Sequence, residues 1–187
     1  MEHPVYPHIF QPLTVRHVTF KNRIFCAPSL AHQTQHTSAT SPETPYLLHY
    51  VERAKGGVGA VFTCGNVPDA HLERCAFTIS PFQAPERFVH QVRKLANALH
   101  QYDTKLFVQI WFGLGRVAFS EFMEDQPVAV SEGPNRWKPE VTCRAMTTDE
   151  IYRLIDAVVD GAKLIYEAGA DGIDINGAYG GYMGDQF

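Results

Sequence analysis

The sequence has no C-x-x-C pair: Cys26, Cys64, Cys75 and Cys143 stand far apart. Zinc or iron–sulfur ligation within this chain is therefore not signalled. No apolar run reaches membrane-spanning length, which argues against a bilayer span. The opening residues MEHPVYPHIF lack both a basic n-region and an apolar h-region. No secretory signal is read there, so the chain is expected to be cytoplasmic, its thiols reduced and mostly buried. No block of one charge sign occurs, and the formal net charge is -4. That balance disfavours nucleic acid and an anionic membrane as partners. The fingerprint G-x-G-x-x-G is missing after the first apolar strand, which leaves a Rossmann nucleotide site unsupported. His32 and His36 have i, i+4 spacing, but they sit among Gln, Thr and Ser that read as loop, so no metal site is expected.

What is present is ordinary globular composition: 187 residues, 45% hydrophobic and 19% charged. One domain with a sizeable core is the expectation. Leu13 and Val15, then Val18 and Phe20, alternate with polar residues around a turn at Arg16-His17, predicting a hairpin. Ile24–Pro28 reads as a short buried strand ended by proline. Pro45 suits the first turn of a helix whose apolar stripe is Leu47, Leu48, Tyr50, Val51 and Ala54, stopped by Gly56-Gly57. Val58–Thr63 is a second buried strand. After an irregular connection, Phe88, Val92, Leu95, Ala96 and Leu99 have helical spacing, and Lys105–Ile110 follows as a third strand.

Residues 113–144 show no clear period, and are too long for a connector; they predict a functional or partly hairpin-forming excursion. Thr147 and Glu150 match a capping box opening a helix with Ile151, Leu154, Ile155, Val158, Ala162 and Ile165 on its apolar side. Gly169 ends it. Ile173, Asp174 and Ile175 form the fourth strand, followed by a glycine-loosened stretch carrying Asn176, Tyr179, Tyr182, Asp185 and Gln186. Taken alone, that stretch reads first as a βα turn whose polar residues cap a helix. Its place at a strand's C-terminal end also suits a ligand loop. Apolar strands alternating with amphipathic helices imply a parallel sheet. Either an open four-stranded sheet or part of a barrel satisfies this pattern; a complete barrel needs eight units and about 250 residues.

Several segments together resemble the Old Yellow Enzyme family of FMN-dependent oxidoreductases. Leu13–Pro28 is similar to the family's N-terminal hairpin and first barrel strand. RAKGGVG at 53–59 resembles the approach to the second strand, and QIWFGLGR at 109–116 the end of the third. PNRWKPEVTCRAMTTDE at 134–150 resembles the 2,4-dienoyl-CoA reductase and bile-acid-inducible subfamily. Asp171–Phe187 is similar to the fourth strand and its catalytic loop. The resemblance implies an α/β fold: the N-terminal half of a (β/α)8 TIM barrel, four parallel strands preceded by a short hairpin. The whole chain, 1–187, would be the N-terminal part of a flavin-binding domain, ending after the fourth strand.

The resemblance further implies FMN as cofactor and NAD(P)H as reductant, with hydride passing to a C=C conjugated to a carbonyl in a small enone or enoyl substrate. The backbone of Ala27, Pro28 and Ser29 would lie against the isoalloxazine ring, Gly65 below its polar edge, and Gln109 at its pyrimidine end. Read from the residue alone, Gln109 is equally a satisfied amide inside a barrel layer. Asn176 and Tyr179 stand where the family usually has His-x-x-His or His-x-x-Asn, and would donate to the substrate carbonyl. Tyr182 would be the proton donor. In longer relatives the iron–sulfur cysteines and the flavin-phosphate site lie past the matched segments, so no iron–sulfur cluster is expected. The competing expectation is a catalytically incomplete half-barrel that associates with itself or another chain through its open edges.

Overall fold

Leu13–Val15 (β1) and Val18–Phe20 (β2) pair antiparallel, with Leu13 opposite Phe20. Arg16 takes a φ of 52° in the two-residue turn between them. The computed structural model describes residues 5–29, 44–66, 69, 72, 84–123 and 125–177. They form two units. One comprises Met1–Cys64, Val89–Gln109 and Ile165–Asp174; the other comprises Gly65–Phe88, Ile110–Leu164 and Ile175–Phe187.

The first unit holds most of a four-stranded sheet. Its strands are Phe25–Cys26 (β3), Ala60–Phe62 (β4), Lys105–Trp111 (β5) and Gly172–Asn176, which is numbered β9 in chain order; they lie in the order β3-β4-β5-β9. β3 with β4 and β4 with β5 run parallel. The last pairing is parallel as well. Leu106 meets Asp171 and Gln109 meets Asp174, both 65 residues apart, a constant offset that an antiparallel pair would not keep. The helices Thr44–Lys55 (α1), Pro85–His100 (α2) and Thr148–Glu167 (α3) alternate with these strands. The expected α/β parallel sheet after a hairpin is what the chain forms.

Two helix ends follow the glycine rule. Gly57 (φ 99°) and Gly169 (φ 87°) adopt left-handed backbone, and their N–H groups bond back to Ala54 and Tyr166. Gly172 has a different reason to be glycine. A Cβ there would lie 2.5 Å from Cε1 of Phe107. The Phe107 ring stacks on Phe62 at 4.9 Å and on Phe20 at 5.9 Å between centroids. Phe25 closes the group, 4.8 Å from Phe20 and 6.0 Å from Phe62. Tyr50, Val61, Leu95, Leu99, Leu106, Val108 and Ile165 are fully buried in this unit.

One expectation needs correction. Ile24–Pro28 is not a buried strand: Phe25 is 38% exposed, and Ala27 and Pro28 are exposed. Among the described residues β3 is an edge strand with β4 on one side only.

The second unit contains the excursion. Val128–Ala129 (β6) pairs parallel with Thr142–Ala145 (β8), which pairs antiparallel with Gly133–Pro134 (β7). The hairpin-forming expectation for part of 113–144 is met by β7 and β8. Asn135 organises the turn between them. It is 1% exposed; its Nδ2 donates to the Ala118 carbonyl at 2.7 Å, and its Oδ1 accepts from the N–H groups of Trp137 and Lys138. Trp137 Nε1 donates to the Val117 carbonyl at 3.0 Å. Leu72, Val128, Met146 and Leu154 form a buried cluster packed by Phe112, Val130 and Ile151.

The capping box forms as expected. Glu150 N donates to Thr147 Oγ1 at 3.2 Å, and Thr147 N donates to Glu150 Oε2 at 2.8 Å. Arg144 adds a two-pronged pair to the same carboxylate at 2.9 and 2.7 Å. Those bonds hold the Glu150 carboxyl down at about 2. Along α3 the buried side chains are Leu154, Ala157, Val158 and Ile165, whereas Ile155 is 49% exposed and lies off the core stripe. Among the described residues no helix is long and apolar enough to cross a membrane.

Candidate functional site

In a parallel sheet all strand C-termini share one edge, and loops leaving that edge can converge on a ligand. Residues 27–29 directly follow β3 and belong to no strand or helix. Ala27 and Ser29 each carry an N–H, while Pro28 has only its carbonyl to offer. Ser29 is half-buried, its Oγ 3.3 Å from Nε2 of His49. Partial burial, then the nearby Arg53 cation, hold the His49 imidazole below its usual pKa. A neutral ring suits a hydrogen bond with a serine hydroxyl.

β4 ends against α1. Tyr50 is fully buried, and its phenol oxygen accepts the N–H of Cys64 at 3.1 Å. Burial pushes the Tyr50 phenol far above its usual range. Cys64 is 4% exposed and is not part of a disulfide, the buried thiol expected of it. Gly65 follows, also buried. Thr63 continues the ladder past β4. Its N–H donates to the Phe107 carbonyl at 3.0 Å, and its Oγ1 accepts from the Gln109 N–H at 3.2 Å.

Gln109 is therefore held at both its backbone and its side chain. Its backbone is tied to Thr63, and its side chain donates from Nε2 to Asp174 Oδ2 at 2.6 Å. It is 6% exposed, near the C-terminal end of β5. The amide-in-a-layer reading and the ligand reading meet in one residue, a buried amide whose orientation is set by a carboxylate. Asp174 was not singled out by sequence reasoning. The signal was present: an acid between Ile173 and Ile175 in an apolar strand points to the face opposite its neighbours. The Ser29–His49 pair was missed too, because 20 residues separate its members.

Asn176 is the last residue of β9 and is half-buried. Tyr179 and Tyr182 lie outside the described residues, as do His32, His36 and Cys75. The Gln109 amide carries both a carbonyl acceptor and N–H donors, the kinds of group that a flavin's pyrimidine edge would pair with.

Comparison with known proteins assigns the chain a family. The model of the NADH:flavin oxidoreductase / NADH oxidase family matches residues 8–187. Cinnamate reductase of Clostridium sporogenes is 32% identical over 97% of this chain and 28% of its own length. A probable NADH-dependent flavin oxidoreductase of Bacillus subtilis is 32% identical over 98% of this chain and 48% of its own. The solved old yellow enzyme homologue from Zymomonas mobilis superposes with a TM-score of 0.72 at 26% identity, over 90% of this chain and 48% of that one. The chain thus spans between about a quarter and a half of the length of these relatives.

Proposed function

We propose that this chain, which belongs to the NADH:flavin oxidoreductase / NADH oxidase family, takes part in FMN-dependent, NAD(P)H-driven reduction of an alkene conjugated to a carbonyl. The observation that carries the reading is the Gln109 amide, buried and oriented at the C-terminal edge of a parallel sheet. One relative is named for the reduction of cinnamate, and an enone or enoyl compound is the substrate class we take.

Bound FMN would supply the hydride chemistry. The residues of the chain bind and orient. The backbone of Ala27, Pro28 and Ser29 forms a wall for the isoalloxazine ring, Gly65 leaves room below its polar edge, and Gln109 reads the pyrimidine end. Asn176 donates to the substrate carbonyl, where negative charge develops. Tyr179 is a second donor, and the Tyr182 phenol delivers the proton to the α-carbon. The test is FMN added to purified protein. A bound yellow species and NAD(P)H-dependent loss of enone absorbance are expected; protein that stays colourless with excess FMN overturns the reading for this chain.

A second reading has its own support. Among the described residues β3 and β9 are the two edges of the four-stranded sheet, and Phe25 and Ile175 on them are 38% and 47% exposed. Unpaired edges invite pairing with another strand. On this reading the chain associates with itself or another chain through those edges. Sedimentation velocity over a concentration series decides it: a compact monomer throughout removes this reading.

A further inference from the structure

Gln109 and Asp174 sit on neighbouring strands with Nε2 donating to Oδ2 at 2.6 Å. We propose that Asp174 is a positioning residue: by accepting from Nε2 it fixes which end of the Gln109 amide is nitrogen and which is carbonyl. The inference rests on the reading of Gln109 as the contact to the flavin's pyrimidine ring.

An ionised carboxylate can only accept. With the amide turned over, Oε1 would face Oδ2, two acceptors with no hydrogen between them. That orientation forfeits a charge-assisted bond, roughly twice the strength of a neutral one. The loss would fall on a side chain that is 6% exposed, where water is a poor substitute. The backbone end is pinned as well, since Gln109 N donates to Thr63 Oγ1 at 3.2 Å. One polarity of the amide is thereby selected.

The polarity matters for a flavin. The imide edge of an isoalloxazine alternates carbonyl, N–H and carbonyl. Its N–H needs an acceptor, which the amide carbonyl supplies. A reversed amide would set N–H against N–H. Asp174 thus governs recognition by acting through Gln109.

The test compares the full chain with Asp174→Asn, Asp174→Ser and Gln109→Leu. Each is titrated with FMN and with 3-methyl-FMN, whose methyl group replaces the imide hydrogen, following quenching of flavin fluorescence. Asparagine is isosteric with aspartate but accepts either orientation of its partner amide. We expect wild type to prefer FMN, and Asp174→Asn to weaken FMN about tenfold, the scale of one hydrogen bond. The preference over 3-methyl-FMN should fall towards that of Gln109→Leu. If Asp174→Asn does not fold, Asp174→Ser carries the same comparison. An Asp174 variant that weakens both flavins equally, keeping the wild-type preference, overturns the positioning role alone. Wild type that binds neither flavin overturns the flavin reading and this inference with it.

Discussion

The phenol oxygen of Tyr50 accepts the N–H of Cys64 at 3.1 Å, joining the buried face of α1 to the chain leaving β4. Both residues are almost completely buried. Tyr50→Phe keeps the ring and removes this acceptor. We expect a loss of about 1–3 kcal/mol, the cost of depriving a buried donor of its acceptor. Thermal or urea unfolding reads it, and an unchanged midpoint would show that the bond contributes nothing.

The Glu150 carboxyl is held at about 2 against an ordinary 4.5, first by Arg144 and then by its bonds to Thr147. Its folded-state value is depressed. The stability it contributes is therefore complete above about pH 4.5 and is lost as pH falls towards 2. Glu150→Gln should flatten the pH dependence of unfolding within that window and leave its shape above pH 5 unaltered. Thr147→Ala, which removes the cap, should cost about 1 kcal/mol at neutral pH.

Gly172→Ala puts a methyl group 2.5 Å from the Phe107 ring. Overpacking of this kind costs about 1–3 kcal/mol. Phe107→Leu in the same chain should relieve part of that cost. The two changes should therefore be less than additive in a double-mutant cycle, and strict additivity would contradict the contact.

Asn135→Ala removes three hydrogen bonds from a residue that is 1% exposed. We expect the loop bearing Trp137 to become accessible before the rest of the chain unfolds. Hydrogen exchange should show faster exchange at Trp137 and Lys138, with β5 unaffected.

On the proposed activity, Asn176→Ala should lower kcat/KM for an enone by about 10²-fold, as expected for removing one donor to developing oxyanion charge. FMN affinity should be unchanged. A variant that turns over normally would take Asn176 out of the site.

Local signals are legible in the sequence where the physics is local. The hairpin at Arg16-His17, the Thr147/Glu150 box and the stop at Gly169 each depend on residues within a few positions of one another. The exposure of Phe25 was not legible, because it depends on which strand stands beside β3. Nor was the reason for Gly172, which reads as helix punctuation in the sequence. In the fold it is the space that the Phe107 ring occupies.

The sequence by itself determined the alternation of strand and helix and a family resemblance that the match over residues 8–187 supports. Periodicity and spacing are properties of a chain, and survive without coordinates. Only the tertiary structure decided that Gln109 and Asp174, 65 residues apart, share a hydrogen bond, and that Tyr50 reaches Cys64. The first pair is made by strand order and register, the second by the packing of α1 against β4. A one-residue shift in register turns every side chain to the other face, and nothing in the local spelling of either strand fixes that choice.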